Sequence, residues 1–469
     1  MRHAAIFAVL LAAAPASADG VLARSPCPVP AAAGQSIECY TLTVPENRAK
    51  PSGKTIGIPV VRFKTRAAHP GEPLVLLVGG PGSSSIRDHL DGARNPYLDD
   101  RDFILFEQRG TRFSTPELPC TSYDDAVVAI ERGNLAGQAA IAKARAGAVA
   151  CAKQLSGIDL DGYDTDAIVS DLLDLQRALA IPKLDLFGVS YGTRVALEAM
   201  RRSPASFHAV VLDSVLPPDV RYDELATDNA LASLDRVLDA CAIDPACARS
   251  YPDLRARWTA ALERANRAPI AATVPATPPY SIKATARNLI DAVYDALNSR
   301  AAIARIPKLV DAIARGELGP AMQILADNSG PSTRMRGQRL TVWCRDEAPV
   351  TDLSRASRHP ELDGWQTITV HPDVCKVWPV TPSRAQRTSV TTDIPTLVIA
   401  GEYDPNTPPA WGRRARATLA NGFFVEIPGE THGAADGPCA VSIALAFLRD
   451  PHRLPDTSCV ARAPVMSFQ

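Results

Sequence analysis

Short, near-continuous apolar runs recur along this chain, and each ends at a glycine, a proline or an acidic residue. Such runs are typical of strands that are buried on both faces of a mostly parallel sheet. Residues 168–179 lie between two runs and gather apolar side chains along one helical face. This alternation predicts an α/β fold with a doubly wound sheet, and residues 37–44 and 56–63 predict a hairpin at its edge. The runs are residues 74–78, 103–106, 184–187, 209–212, 396–400 and 423–427.

A different kind of sequence occupies residues 217–384. Several helical patterns follow one another there, and strand patterns are sparse. Because the strand pattern resumes afterwards, we interpret this stretch as a mostly helical cap, or lid, inserted into the core domain. The predicted core is therefore in two parts, residues 19–216 and residues 385–469, and the second part includes a C-terminal segment.

The N-terminus has the features of a signal peptide over residues 1–18. Two basic residues precede an apolar run, and residues 16–18 read ASA, which fits an A-x-A cleavage site. The run is too short to span a bilayer. The alternative is a buried N-terminal helix. On the signal-peptide interpretation the protein is exported, either periplasmic or secreted, without stable membrane insertion after cleavage.

Cysteine content agrees with export, because an even number of cysteines in an oxidising compartment indicates disulfides. Sequence does not determine their connectivity, and we expect neighbours along the chain to pair; the alternative is a set of buried free thiols. The ten cysteines would then pair as Cys27–Cys39, Cys120–Cys151, Cys241–Cys247, Cys344–Cys375 and Cys439–Cys459.

The most informative motif is GVSYG at residues 188–192, directly after an apolar run and before a helical pattern. It resembles the nucleophile elbow of α/β-hydrolases, a tight strand–turn–helix connection that lifts a serine above the sheet. Ser190 is therefore the candidate nucleophile. The backbone N–H of Tyr191, the next residue, is a candidate donor to the oxyanion.

A serine hydroxyl needs a base to take its proton, and in this fold the order along the chain is serine, acid, histidine. His432 follows the last apolar run and is the candidate base. Of the other histidines in the second half of the chain, His452 has no preceding strand, and His359 and His371 lie in the predicted helical insertion. Asp404 follows the run at residues 396–400 and is the candidate acid that orients the imidazole. Glu402, in the same turn, is its nearest competitor.

A second oxyanion donor is expected from the loop GGPG at residues 79–82, which follows a predicted strand. Glycine lets the backbone approach a ligand closely, and Gly80 is the candidate residue. The sequence contains no phosphate-binding loop and no cluster with metal-ligand spacing, so we expect neither a cofactor nor a metal.

Taken together, these segments resemble the proline iminopeptidase and tripeptidyl aminopeptidase branch of the α/β-hydrolases. Further matching segments are residues 107–114, 212–218 and 401–408. The resemblance implies removal of residues or short peptides from free N-termini. It also implies acids that bind the substrate amine, and residues 343–347 resemble a cysteine–acid segment of exported members. Asp346 and Glu347 are therefore candidates, although solvated surface acids would have the same sequence.

Three functions remain open at this stage. The first is a serine aminopeptidase acting on short peptides, and the second is an esterase that uses the same triad on small acyl substrates. The third is a non-catalytic binding protein, which the presence of all three triad residues disfavours. The formal net charge of −1 gives no indication of a nucleic-acid partner, and a monomer is the default.

Overall fold

The computed structural model of this chain describes residues 20–31, 34–89, 95–462 and 466–468. The predicted signal peptide, residues 1–18, lies outside the described residues. The strands are β1 Val21–Arg24, β2 Ile37–Pro45, β3 Thr55–Phe63, β4 Leu74–Leu77, β5 Phe103–Phe106, β6 Leu184–Val189, β7 Phe207–Asp213, β8 Ile270–Val274, β9 Tyr280–Ala284, β10 Thr396–Gly401 and β11 Gly422–Ile427.

Nine of these strands form one sheet in the order β1-β2-β3-β5-β4-β6-β7-β10-β11. The strands from β5 to β11 in this order pair in parallel, whereas β1, β2 and β3 join antiparallel at one side. The six predicted apolar runs correspond to β4, β5, β6, β7, β10 and β11. The predicted hairpin is β2–β3, but β1 pairs with β2 on its outer side, so the hairpin is not the edge of the sheet.

Helices cover both faces of the sheet and also build the region between β7 and β10. Apolar residues of α4 and α5 pack on one face of the sheet, and those of α16 pack on the other. The helices are α1 Ser85–Asp88, α2 Thr121–Arg132, α3 Gly137–Gln154, α4 Thr165–Ala178, α5 Tyr191–Arg202, α6 Tyr222–Ile243, α7 Pro245–Ser250, α8 Leu254–Arg267, α9 Ala286–Leu297, α10 Arg300–Ile303, α11 Ile306–Ala314, α12 Gly319–Asn328, α13 Arg336–Asp346, α14 Pro372–Cys375, α15 Pro409–Arg416, α16 Pro438–Arg449 and α17 Ser458–Ala461.

The region between β7 and β10 contains α6 to α14 and a separate two-stranded sheet, β8–β9. Its helices share an apolar core of their own, centred on residues such as Trp258, Val293 and Ile306. The sequence predicted the helices but not the hairpin. The limits of the cap at residues 217 and 384 stay a prediction.

The structure contains the same five disulfides that we expected from the sequence: Cys27–Cys39, Cys120–Cys151, Cys241–Cys247, Cys344–Cys375 and Cys439–Cys459. Cys120–Cys151 joins the start of α2 to α3, and Cys344–Cys375 joins α13 to α14. Disulfides of this number are typical of proteins in oxidising compartments. Among the described residues, no helix has both the length and the apolar character that crossing a membrane requires.

Candidate active site

Ser190 occupies the turn between β6 and α5 with φ 57° and ψ −124°. A non-glycine residue adopts such a positive φ only where the surrounding structure enforces it. The turn is crowded: a Cβ on Gly192 would lie 1.9 Å from the carbonyl oxygen of Leu77 on β4. The N–H of Ser190 donates to the carbonyl of Asp213 at 3.0 Å, which ties the turn to β7. Contacts with both neighbouring strands therefore require the small residues of the motif.

The predicted base and acid meet beyond the ends of two adjacent strands. His432 follows β11, Asp404 follows β10, and the imidazole Nδ1 lies 2.9 Å from Oδ2 and 3.1 Å from Oδ1 of Asp404. The fully buried carboxylate of Asp404 also accepts the N–H of Asn406 at 2.8 Å and of Thr407 at 2.9 Å. The Thr407 hydroxyl donates to Oδ2 at 2.7 Å. These donors fix the carboxylate in position to orient the imidazole.

The titration of this pair reflects its mutual attraction. Burial alone would raise the pKa of Asp404, but the charge of His432 and hydrogen bonds from His432 and Thr407 hold it below its usual range. Burial alone would lower the pKa of His432, but Asp404 and, more weakly, Asp213 raise it above the ordinary value. Opposite shifts of this kind are expected for an acid and a base that stabilise each other's charged form.

Ser190 and His432 line the same cavity, which has a volume of about 440 Å³. The two residues predicted to stabilise an oxyanion, Tyr191 and Gly80, line it as well. The loop that carries Gly80 runs directly against the nucleophile, because a Cβ on Gly79 would lie only 2.7 Å from the Cβ of Ser190. The structure therefore brings the predicted nucleophile, base and oxyanion residues to one cavity, with the predicted acid behind the base.

Comparisons with known proteins agree with this architecture. A family model described as TAP-like protein matches residues 364–459. The serine protease Hip1 of Mycobacterium tuberculosis is 26% identical over 434 residues, which cover 84% of this chain and 81% of that protein. The tripeptidyl aminopeptidase of Streptomyces lividans is 31% identical over 195 residues, 39% of this chain and 36% of that protein. The chain is an α/β-hydrolase.

A solved structure of proline iminopeptidase from Mycobacterium smegmatis is 18% identical to this chain and has a TM-score of 0.40. The match covers 88% of this chain and 98% of the iminopeptidase. The resemblance that the sequence motifs indicated, to the proline iminopeptidase and tripeptidyl aminopeptidase branch, is confirmed by the TAP-like family model and by the matches to Hip1 and the tripeptidyl aminopeptidase.

The two acids expected to bind a substrate amine lie elsewhere in this α/β-hydrolase. Both are buried and neither lines the catalytic cavity. Asp346 accepts the backbone N–H of Thr165 at 3.1 Å and its hydroxyl at 2.6 Å. Glu347 forms ion pairs with Arg194 and Arg387, the latter at 2.7 Å. Their position outside the catalytic cavity corrects the expectation, although Oδ1 of Asp346 and Oε2 of Glu347 have no hydrogen-bond partner among the described residues.

A different pair of acids lines the cavity, and sequence reasoning missed it. Asp291 and Asp295 lie one turn apart on α9, where residues four apart share a face. Asp291 keeps solvent-accessible surface in the cavity and accepts a hydrogen bond from Nε1 of Trp365 at 3.2 Å. No ion pair involves either carboxylate within the part of the chain that the structure describes. Acids four residues apart on an amphipathic helix were the available signal.

The electrostatics of these acids show that their ionised forms are poorly stabilised by the protein. Withdrawal from bulk water, followed by the charges of Asp291 and Glu131, raises the pKa of Asp295 to about 8. The same withdrawal raises the pKa of Asp291, although Trp365 and Arg287 oppose the shift. Clustered carboxylates without a partner favour proton uptake or the binding of a cation.

Asp213 and Ser214, at the end of β7, hold the loop that carries His432. The buried Asp213 carboxylate accepts the N–H of Ala434 at 3.0 Å and of Ala435 at 3.1 Å. The Ser214 hydroxyl accepts the N–H of Gly433 at 2.9 Å. The sequence indicated these residues only as part of the segment 212–218 that resembles the family, without a role of their own. Their contacts make them positioning residues for the imidazole.

Proposed function

We propose that this protein is a serine aminopeptidase that releases residues or short peptides from free peptide N-termini. The observation that carries the proposal is the unpaired acid pair, Asp291 and Asp295, in the cavity that also contains Ser190 and His432. An acyl-transfer site alone serves esters and amides equally well. A negative subsite in the same cavity adds a reason to select substrates with an ammonium group.

In the proposed reaction, His432 takes the proton of Ser190 while the serine oxygen attacks the scissile carbonyl. The negative charge that develops on the carbonyl oxygen is stabilised by the N–H groups of Tyr191 and Gly80. His432 then protonates the leaving amine, and an acyl-enzyme remains on Ser190. Water activated by the same imidazole releases the acyl group. Asp404 keeps the imidazole in the required tautomer and stabilises its charged form.

The acid pair would define which bond is cut. A peptide ammonium between Asp291 and Asp295 would neutralise charge that the protein leaves unpaired, and charge-assisted hydrogen bonds of this kind are among the stronger polar contacts. Because α9 is packed in the cap, its acids are held at a fixed position relative to Ser190. The N-terminus of the substrate would then be anchored, and cleavage would occur a fixed number of residues from it.

Export is part of the same proposal. Five disulfides persist where the surroundings are oxidising, such as the periplasm or the extracellular medium. Short peptides from either compartment would be the substrates.

The test compares hydrolysis of a tripeptidyl p-nitroanilide that has a free amine with its N-acetylated form, alongside a p-nitrophenyl ester. We expect acetylation to lower kcat/KM by about a hundredfold, the value for losing a well-placed charged pair. Ser190→Ala should reduce turnover by several orders of magnitude. Asp295→Asn should shrink the ratio between free and acetylated substrate by about tenfold.

Asp327→Asn is the matched control, because Asp327 is a cap acid on α12 that accepts from Gln323 and lies outside the cavity lining. It should leave the ratio as in the wild type. Indifference to acetylation, or cleavage of the ester alone, would favour the esterase function instead. Full activity of Ser190→Ala would remove the assignment of the nucleophile.

A further inference from the structure

Residues 334–339, at the start of α13 and just before it, carry three arginines, Arg334, Arg336 and Arg339, which differ in their partners. Arg336 forms an ion pair with Asp124, with Nε 3.0 Å from the carboxylate. Arg334 and Arg339 instead line the catalytic cavity. Arg334 and Arg339 therefore face the cavity, whereas Arg336 is paired with an acid outside it.

The cavity arginines lack anionic partners. Within the described ranges of the chain, no hydrogen bond or ion pair involves the guanidinium of Arg334, and much of its surface is accessible. Arg339 donates through Nη1 to the carbonyl oxygen of Gly80 at 2.6 Å, and its buried Nε has no partner. Burial and the charges of Arg334 and Arg336 lower the pKa of Arg339 to about 9. The protein therefore holds two cations here without supplying a counter-charge.

The acids nearest to these arginines already have other donors. Asp88, which acts on Arg334 through its charge, is held by the guanidinium of Arg87. Asp223, which acts on Arg339, accepts Nε1 of Trp343 at 2.7 Å and the N–H of Thr369 at 2.8 Å. Both carboxylates therefore have donors other than Arg334 and Arg339.

Contacts with the oxyanion loop fix the arginines close to the reacting centre. The N–H of Met335 donates to the carbonyl of Gly82 at 2.9 Å, and Arg339 donates to Gly80 in the same loop. The charge of Arg334 also opposes protonation of His432. Arg334 and His432 line the same cavity, and His432 is the group that delivers a proton to the leaving group.

The acid pair lies on another element that lines the same cavity, helix α9. The cation that acts on Asp291 is Arg287, and the charges that act on Asp295 are those of Asp291 and Glu131. Arg334 and Arg339 contribute to neither. The cavity is therefore bipolar, with a negative part on α9 and a positive part beside the oxyanion loop. Its volume of about 440 Å³ is within the range that holds a small ligand.

We propose that Arg334 and Arg339 bind a carboxylate on the leaving-group side of the catalytic cavity, so that preferred substrates are short peptides with an anionic group just beyond the cleaved bond. The carboxylate is either the C-terminus of the peptide or an acidic side chain next to the scissile bond. Guanidinium groups suit this ligand because their planar donors match a carboxylate in pairs. The role in peptide cleavage rests on the proposed function, whereas the subsite itself can be tested without catalysis.

The binding experiment uses the full chain with Ser190→Ala and titrates it calorimetrically with N-acetyl-Ala-Ala and, separately, with N-acetyl-Ala-Ala amide. Neither ligand has a free amine, so the acid pair does not contribute. We expect the carboxylate ligand to bind about tenfold more tightly than the amide, as for one charged hydrogen-bonded contact. Arg334→Gln in the same background should bring the two affinities together, and its thermal unfolding should stay close to that of the parent because Arg334 has no structural partner.

Arg336→Gln is the matched control, since it removes a charge from the same segment but not from the cavity, and it should keep the preference for the carboxylate. Equal affinities for acid and amide would overturn the subsite, and so would a preference that survives Arg334→Gln. Kinetics of the wild type then identify the source of the carboxylate. If the arginines bind the C-terminus of the peptide, amidation of a tripeptide substrate should lower kcat/KM. If they bind an acidic side chain, an Asp placed directly after the scissile bond should restore cleavage of the amidated substrate.

Failure of this proposal and failure of the aminopeptidase function are distinguishable. Loss of the free-amine preference concerns Asp291 and Asp295 alone, and it leaves the acid-to-amide comparison on Ser190→Ala intact. Equal binding of acid and amide removes the arginine subsite and leaves the free-amine preference intact.

Discussion

Replacing Asp404 by Asn removes the charge beside His432 while it keeps the shape of the side chain. The amide oxygen can still accept the N–H groups of Asn406 and Thr407, which both bond to Oδ1. The amide nitrogen would replace Oδ2, which faces Nδ1 of His432 at 2.9 Å. A donor in that position favours the tautomer that carries its proton on Nε2, and this nitrogen could then no longer take the proton of Ser190. We expect kcat to fall by roughly 10⁴-fold.

The effect on stability depends on pH in a defined direction. The pKa of His432 is raised, so its stabilisation is complete below its ordinary value of 6.5 and is lost as pH rises through the raised pKa. The pKa of Asp404 is lowered, so its contribution is complete above 3.8 and is lost as pH falls through the lowered pKa. Asp404→Asn should therefore reduce the free energy of unfolding by roughly 2–3 kcal/mol near pH 5.5, the value of one charge-assisted hydrogen bond. The loss should be smaller near pH 9.

The assay is a pH profile of kcat/KM for the wild type, with chemical denaturation at both pH values. Activity of the wild type should rise with pH through a pKa above 6.5, because His432 acts as a base only when neutral. Glu402→Gln is the matched control: Glu402 lies in the same turn, but its carboxylate accepts the N–H of Gly429 at 2.8 Å. A large loss of kcat in Glu402→Gln together with a small loss in Asp404→Asn would refute the assignment of the acid.

Two further substitutions test how the site is positioned. Gly79→Ala would place a Cβ 2.7 Å from the Cβ of Ser190, so the serine or the loop must shift and kcat should fall by roughly a hundredfold. The melting temperature should fall less than in Gly192→Ala, whose Cβ would lie 1.9 Å from a backbone oxygen of β4 and should impair folding itself. Wild-type kcat in Gly79→Ala would contradict the close approach of the loop. Asp213→Ala removes the acceptor of two backbone N–H groups next to His432, so denaturation should show a free energy of unfolding lower by about 2–4 kcal/mol, together with a lower kcat. An unchanged pH profile and kcat would show that the loop keeps the imidazole in place without Asp213.

The parts of the fold that sequence predicted are those where local pattern and burial coincide. The strands β4, β6, β7 and β10 are covered on both faces, and a continuous apolar run therefore identifies each of them. The hairpin β8–β9 lacks that signal, because its residues alternate between exposed and partly buried positions and include small or polar side chains. β1 was missed for a similar reason, since its four residues are mostly exposed at the sheet edge.

The placement of the candidate triad could be predicted because each of its residues follows a strand end. Ser190, Asp404 and His432 follow β6, β10 and β11, and parallel strands bring their carboxyl ends to one edge of the sheet. Residues of the cap have no such constraint. The orientation of α9 over the cavity depends on packing between cap helices, and no local pattern encodes it. Sequence reasoning could therefore identify helices there but not the side chains that face the substrate.

The same limitation explains why acids were assigned to the wrong place. Asp346 and Glu347 are of the same residue types as an amine site requires, but they lie outside the cavity, where their partners are Thr165, Arg194 and Arg387, all distant in sequence. Asp291 and Asp295 differ from them in their position, because they line the catalytic cavity, and they form no ion pair within the described residues. The contrast between Arg336 and Arg334 is analogous.

A charge that is partly withdrawn from water and has no partner costs free energy, and the fold gains nothing structural in return. A ligand of the opposite sign recovers that free energy when it binds. In this cavity the unpaired charges have both signs, with carboxylates on α9 and guanidinium groups beside the oxyanion loop. A neutral ester would satisfy neither set, and a substrate with only an amine would satisfy one. A short peptide with an ammonium group at one end and a carboxylate near the other would satisfy both sets of charges while its scissile carbonyl lies at Ser190. The distribution of unpaired charge therefore favours a peptide over an ester.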